Sequence, residues 1–280
     1  MGRPLYLAEN FWNARLFPNH ELSANEEADG RDIAQVGSGR RLKSMNCWTP
    51  TSFNAQAYAT CVFGRVRAFD TIFLDRGHNL EGKNIRIRVA LDPAFASYTE
   101  IGPVTLPSQV IPYSRLTQAG GVKTEEGAWG WRPGTYTGYA VRLLVDAMGS
   151  GLKPEIVNIQ MGMGFQPAFP VVKPFTHGLR ELLYEETVSP SAWVGAGQIS
   201  QRRRLPVELK LKREEAASAR YHIEQLILQA KGTWVVPDDE QAEKAFYARA
   251  TPQTAGLTVE GDWSEFRAKF ELVEQEPLLV

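Results

Sequence analysis

Only two cysteines, Cys47 and Cys61, occur among 280 residues, which excludes a disulfide-stapled scaffold. The chain opens Met1-Gly2-Arg3-Pro4-Leu5-Tyr6-Leu7, without the apolar run a secretory signal needs, so both cysteines are expected as buried free thiols in a protein made in the cytoplasm. No stretch approaches 18 uninterrupted apolar residues, and no membrane insertion is expected. An excess of one charge is also missing. Basic and acidic residues number 31 and 32, a balance that argues against a dedicated nucleic-acid binder. The four histidines, His20, His78, His177 and His222, fall in no zinc-ligand spacing, and no metal or cofactor is expected.

Catalytic signatures are equally scarce. There is no Gly-x-Ser-x-Gly elbow, and Gly37-Ser38-Gly39-Arg40-Arg41 lacks the Gly-Lys-Ser/Thr ending of a phosphate loop. The acidic pairs Glu26-Glu27, Glu125-Glu126 and Glu185-Glu186 are chain neighbours, which point to opposite faces of an extended backbone rather than flanking one bond. No catalytic residue is assigned, and the chain reads as non-enzymatic.

What the sequence does contain is turn and strand chemistry: 24 Gly, 17 Pro and seven Trp. Ile85, Ile87, Val89 and Leu91 alternate with Arg86 and Arg88, the period of a half-buried strand. Residues 68–74, 141–146 and 156–161 read as further strands, separated by turns at 76–79, 81–84, 92–93 and 119–121. That order predicts an antiparallel β-sandwich. Pro167, Pro170 and Pro174 then form a stiff connector, and the domain boundary is placed at 172/173. Beyond it, 205–212, 234–236 and 266–272 read as strands. One helix is expected over about 214–231, opened by acids and closed before Gly232, giving an α+β second domain of barrel type. The two parts carry net charges of +2 and −3, so neither is built to steer a highly charged ligand.

Trp48, Trp129 and Trp131 sit beside turn residues, in Trp48-Thr49-Pro50 and Trp129-Gly130-Trp131-Arg132-Pro133-Gly134. Two roles are open to them: plugging the ends of the sandwich core, or stacking on sugar rings and anchoring an interface. Asn79 joins them as a polar loop contact. Arg202-Arg203-Arg204, ahead of a strand, is a candidate interface or phosphate contact, or a solvated edge.

Several segments together resemble a known family. Met45 to Pro50, the run Leu74-Asp75-Arg76-Gly77-His78-Asn79-Leu80-Glu81-Gly82-Lys83, the strand from Ile85 and Pro154 to Ile159 resemble discoidin-like, galactose-binding-like jelly rolls. The wording of 74–83 looks like versions in tail proteins of tailed bacteriophages. Gly232-Thr233-Trp234-Val235-Val236-Pro237 and Gly261-Asp262-Trp263 are similar to tail-tube-like split barrels of distal tail proteins. Distal tail proteins often put the ring-forming barrel first, whereas here the sandwich comes first. The resemblance implies a jelly-roll sandwich at 1–172 and a split barrel at 173–280. It also implies a structural component of a virion tail tip or baseplate. Such a protein forms a homo-oligomeric ring, hexameric or trimeric, docks tail-tube and baseplate-hub neighbours and passes DNA through its lumen. The alternative expectation is a carbohydrate-binding module contacting host cell-surface glycans.

Overall fold

Short runs of β-branched and aromatic residues between glycine and proline turns leave little room for helix, and the strands follow from that. The computed structural model describes residues 3–7, 9–12, 17, 19–38, 47–52, 56–149, 151–168, 181–188, 194–202, 204–228, 232–260 and 265–274. Among the described residues the protein is mainly β with one short helix. In chain order the first strands are β1 (Leu5–Leu7), β2 (Glu21–Ala24), β3 (Ala57–Phe69), β4 (Thr71–Leu74), β5 (Asn84–Ala90) and β6 (Tyr98–Thr105). Then come β7 (Val122–Lys123), β8 (Trp129–Trp131), β9 (Tyr136–Val145), β10 (Ile159–Gly162) and β11 (Gly164–Phe165). The remainder holds β12 (Glu181–Val188), β13 (Val194–Arg202), β14 (Arg204–Lys212), helix α1 (Ala216–Leu228), β15 (Thr233–Val236), β16 (Phe246–Glu260) and β17 (Glu265–Glu274).

A five-stranded antiparallel sheet, β2-β3-β9-β5-β6, faces a four-stranded one, β10-β4-β8-β7. Together they make the jelly-roll-like sandwich expected of the N-terminal half. Its core draws Ile85, Ile87 and Val89 from the alternating strand and Ile72, Leu74, Ile159 and Met161 from the facing sheet. Cys47 and Cys61 are both buried and neither is in a disulfide, as expected.

The remaining sheet is not confined to one side of the expected boundary. Its order is β11-β1-β15-β16-β17-β14, so β1 and β11, both placed in the first domain at 1–172, pair with strands of the second. Tyr6 lies opposite Val235 on one side and opposite Phe165 on the other. The cause is visible in β1 itself: Leu5, Tyr6 and Leu7 are all buried, so the strand needs cover on both faces. Tyr6 packs with Ala219 and Ile223 of α1, Val207, Phe246 and Phe270. Leu5 and Leu7 point the other way, to a second cluster with Phe73, Trp234, Val236 and Tyr247. Phe73 belongs to β4, whose outer face therefore meets the six-stranded sheet. The layers stack as sheet, sheet, sheet and helix, with apolar residues between each pair. The two halves share a core instead of being joined only by a connector.

The connector at 169–180 lies outside the described residues, as do 229–231 at the expected helix end and Arg203. The helix runs from Ala216 after a 3-10 turn at Arg213–Glu215. It buries Ala219 and Ile223, while Tyr221, expected on its apolar stripe, is exposed. Instead, the Tyr221 hydroxyl donates to Glu9. The strands β12 and β13 pair with each other from Glu181↔Arg202 to Val188↔Val194 and with no other described strand.

Candidate functional site

The tryptophans singled out in the sequence all turn inward. Trp48 is fully buried and its indole Nε1 donates to Glu26 O at 3.0 Å. Trp129 is 1% exposed and donates to Gly120 O at 2.8 Å, and Trp131 is 7% exposed. Residues two apart on a strand share a face. Both Trp129 and Trp131 therefore enter the sandwich core, and Gly130 faces outward beneath the Phe73 ring. Of the two roles open to them, the structure supports core packing and removes Trp48 and Trp129 as solvent-facing stacking platforms. Trp131 lines a shallow groove of about 590 Å³ that also includes Pro103, Pro133 and Tyr136. Asn79 bridges two loops: its Nδ2 donates to Lys153 O at 2.8 Å, and its Oδ1 accepts from Glu155 N at 2.8 Å. Both ends of that amide are thus committed to the fold. Arg202 closes β13 and Arg204 opens β14, opposite Glu181 and Val273 respectively. Their strands belong to sheets other than the one that carries Trp129 and Trp131.

A different group of residues converges at the edge of the sandwich. Between Val62 and Arg67 the pairing of β3 with β9 breaks, and four residues of β3 stand opposite Tyr139 alone. Such a bulge re-aims the side chains that follow it. Gly64 enables it: its φ is +68°, and a Cβ there would sit 2.9 Å from Asn19 O. The bulge presses on the 17–20 segment and opens a pocket of about 260 Å³ between them. Phe17, Asn19 and His20 line one side, and Phe63, Gly64, Arg65 and Arg67 the other.

His20 is 7% exposed, and its Nδ1 lies 2.8 Å from Phe11 O. A carbonyl only accepts, so Nδ1 carries the hydrogen and Nε2 presents a lone pair. Among the described residues that buried Nε2 has no hydrogen-bond partner. Burial, chiefly, holds the imidazole below its ordinary pKa, with Arg67 and Arg65 adding to the effect against the Phe11 contact. The Phe17 ring stacks on His20 with centroids 4.7 Å apart and planes at 10°. The Arg67 guanidinium covers the Phe17 ring at 4.6 Å and the Phe11 ring at 4.9 Å, and its Nε is also buried without a partner. Arg65 is exposed. The pocket thus offers an aromatic face, one neutral acceptor and two cationic donors. Its volume falls just below the roughly 300–1,000 Å³ of drug-sized sites, which suits one sugar-sized ring.

Sequence reasoning missed Phe17, His20, Arg65 and Arg67. The signal available was the break in strand alternation at Gly64, followed by Arg65-Val66-Arg67. Among the described residues no cluster of three or more potential metal ligands occurs, and no helix is long and apolar enough to cross a membrane.

No family model matches the chain, and no curated protein does. Among solved structures it is similar to a GH29 fucosidase of Ruminococcus gnavus in complex with fucose. That match has 12% identity and a TM-score of 0.41, over 56% of this chain and 27% of the fucosidase. It is also similar to a chitosan-binding module from the chitosanase/glucanase of Paenibacillus sp. IK-5, at 12% identity and TM-score 0.39, over 55% of this chain and 98% of the module. A third is the family 32 carbohydrate-binding module of Clostridium perfringens NanJ in complex with galactose, at 11% identity and TM-score 0.39, over 56% and 98%. At these TM-scores the likeness carries no functional weight, and the sandwich assignment rests on the strand order above.

Proposed function

We propose that the chain is a carbohydrate-binding protein whose saccharide site is the pocket at the β3 bulge, contacting glycans of a host cell surface. The observation that carries this reading is the His20 Nε2 lone pair, buried and unpartnered among the described residues, on a side chain that stacks on Phe17 and lines an open pocket. A buried polar atom left unsatisfied costs about 1–3 kcal/mol, and a ligand hydroxyl donating into it removes that cost. The apolar face of a pyranose ring meets Phe17, while its hydroxyls find the imidazole and the guanidinium N–H groups. The test is calorimetric titration of the full chain with mono- and disaccharides, beside a His20→Phe variant that keeps ring packing and removes the acceptor. Saccharide binding that weakens at least about ten-fold in the variant supports the reading. A chain that binds no saccharide, or a variant that binds equally well, refutes it.

A second reading, a structural subunit of a phage tail tip or baseplate with a split-barrel C-terminal domain, is favoured by the backbone alone. Among the described residues the β12–β13 ribbon pairs with no other strand, and β14 pairs with β17 on one side only. An isolated two-stranded ribbon is marginal by itself, and an open strand edge is a template for another chain. A ring of identical copies, hexameric or trimeric, docked between tail-tube and baseplate-hub proteins and passing DNA in transit, gives both features partners. Electron microscopy of the purified chain tests it. Rings support this reading, and a monomer at every concentration refutes it. A tail subunit that also binds glycans satisfies both readings.

A further inference from the structure

We infer that the pocket selects acidic saccharides, with the anionic group of the sugar held between Arg65 and Arg67 and a ring hydroxyl donated to His20; the inference rests on the saccharide reading above. The charges in the pocket lead there. Two guanidinium groups border a space of about 260 Å³ whose described lining contains no carboxylate. Neither arginine forms an ion pair among the described residues. A carboxylate that acts on Arg67 from nearby, Glu9, already accepts the Tyr221 hydroxyl. The Arg67 guanidinium lies over the Phe11 and Phe17 rings, which hold it beside the pocket it lines.

Two like charges side by side repel, and a bound anion relieves that repulsion while accepting short, charge-assisted hydrogen bonds. Charge alone does not complete the site. His20 presents an acceptor, and burial keeps the imidazole neutral. Inorganic sulfate or phosphate satisfies the arginines and, when fully ionised, has no hydrogen to give to Nε2. A neutral sugar satisfies Nε2 and leaves two cations unpaired. A molecule carrying both a hydroxyl and an anionic group, on a ring that lies against Phe17, meets all three demands. Carboxylated and sulfated sugars share this chemistry.

Calorimetry on the full chain decides the matter, using galacturonate, galactose 6-sulfate, galactose and inorganic sulfate, with glucuronate and glucose as a second matched pair. Arg65→Gln is the informative variant because the side chain is exposed, and a thermal melt checks that the fold is intact. The expected result is an acidic sugar binding at least about ten-fold more tightly than its neutral partner, the range of one charged hydrogen bond. Arg65→Gln should erase that preference by weakening the acidic sugars more than their neutral partners, and added salt should weaken only the acidic sugars. The uronate and sulfate arms identify which anionic group is preferred. Equal affinity for acidic and neutral sugars overturns the inference and leaves the saccharide reading standing. Sulfate bound as tightly as the acidic sugars likewise overturns the inference alone, and no saccharide bound at all overturns both.

Discussion

Asp70 is the side chain whose removal should cost the fold most for its size. It is 3% exposed, between β3 and β4. Its Oδ2 accepts from Arg132 Nε at 2.9 Å and Nη2 at 2.7 Å. Its Oδ1 accepts from Gly164 N at 2.7 Å and from the Thr71 hydroxyl at 2.8 Å. The contacts continue from Arg132 to Gln166, from Gln166 to Asp239 and from Asp239 to the Arg3 amide. One carboxylate therefore ties the four-stranded sheet to the six-stranded one. Asp70→Ala leaves Arg132 without its counter-charge and two further donors unsatisfied. Breaking a buried pair in this way costs about 3–5 kcal/mol. The Arg132 side chain keeps 26% of its exposure, so water recovers part of that loss and the lower end, about 3 kcal/mol, is expected. With a urea slope of about 3 kcal/mol/M, the unfolding midpoint should fall by about 1 M. Tryptophan fluorescence and circular dichroism should report the same transition, because the halves share a core. Adding Arg132→Met to Asp70→Ala removes the uncompensated cation and should recover part of the loss. A midpoint shift under about 0.3 M, or strictly additive losses in the double variant, would refute the clamp.

Tyr247→Phe removes the hydroxyl that accepts from Gln160 Nε2 at 3.0 Å across the same seam, and should lower urea stability by about 1–3 kcal/mol; no change would place that hydrogen bond outside the energetics of the interface. Asn79→Ala should cost about 1–3 kcal/mol by freeing two loop contacts, while saccharide affinity stays constant; a loss of affinity in a folded variant would return Asn79 to the binding site. Gly64→Ala should cost about 1 kcal/mol or more, since it meets both a positive φ and Asn19 O, and should weaken saccharide binding through the bulge; full retention of both argues that the bulge does not shape the pocket. Burial first, and then Arg67 and Arg65, depress His20, while burial depresses His222 against the opposing pull of Glu9 and Asp70. The unfolded imidazoles take up protons near their ordinary pKa of about 6.5, before the folded ones do, so stability is complete above that pH and declines below it. Melting temperatures from pH 8 to 5 should therefore fall more for the wild type than for His20→Phe; parallel curves refute the burial argument.

Local chemistry determined much of this protein in advance. Alternation named the strands that became β5, β14 and β17, and acids before Gly232 located the helix. The scarcity of cysteine anticipated free, buried thiols. These features depend on a residue and its near neighbours, which is what a sequence displays. The tryptophans were less legible. Beside turn residues they suit a loop tip or a core plug equally well. The i, i+2 spacing of Trp129 and Trp131 fixed only that they share a face, and the packing of the sheets decided that this face is the core.

Non-local contacts were beyond the sequence. Nothing near Leu5-Tyr6-Leu7 announces a partner at Val235, because backbone hydrogen bonding pairs any two strands whose faces find cover. The expected boundary at 172/173 followed composition. The tertiary structure instead carries the first strand across it, since a strand buried on both faces is stable only between two apolar layers. The pocket has the same origin. Scarce histidine and balanced charge gave no hint of a site, and only the bulge at Gly64 brings His20 and Phe17 against Arg65 and Arg67. The sequence set which segments are strands; the tertiary structure decided which of their edges and bulges meet, because that choice depends on burial shared between residues far apart in the chain.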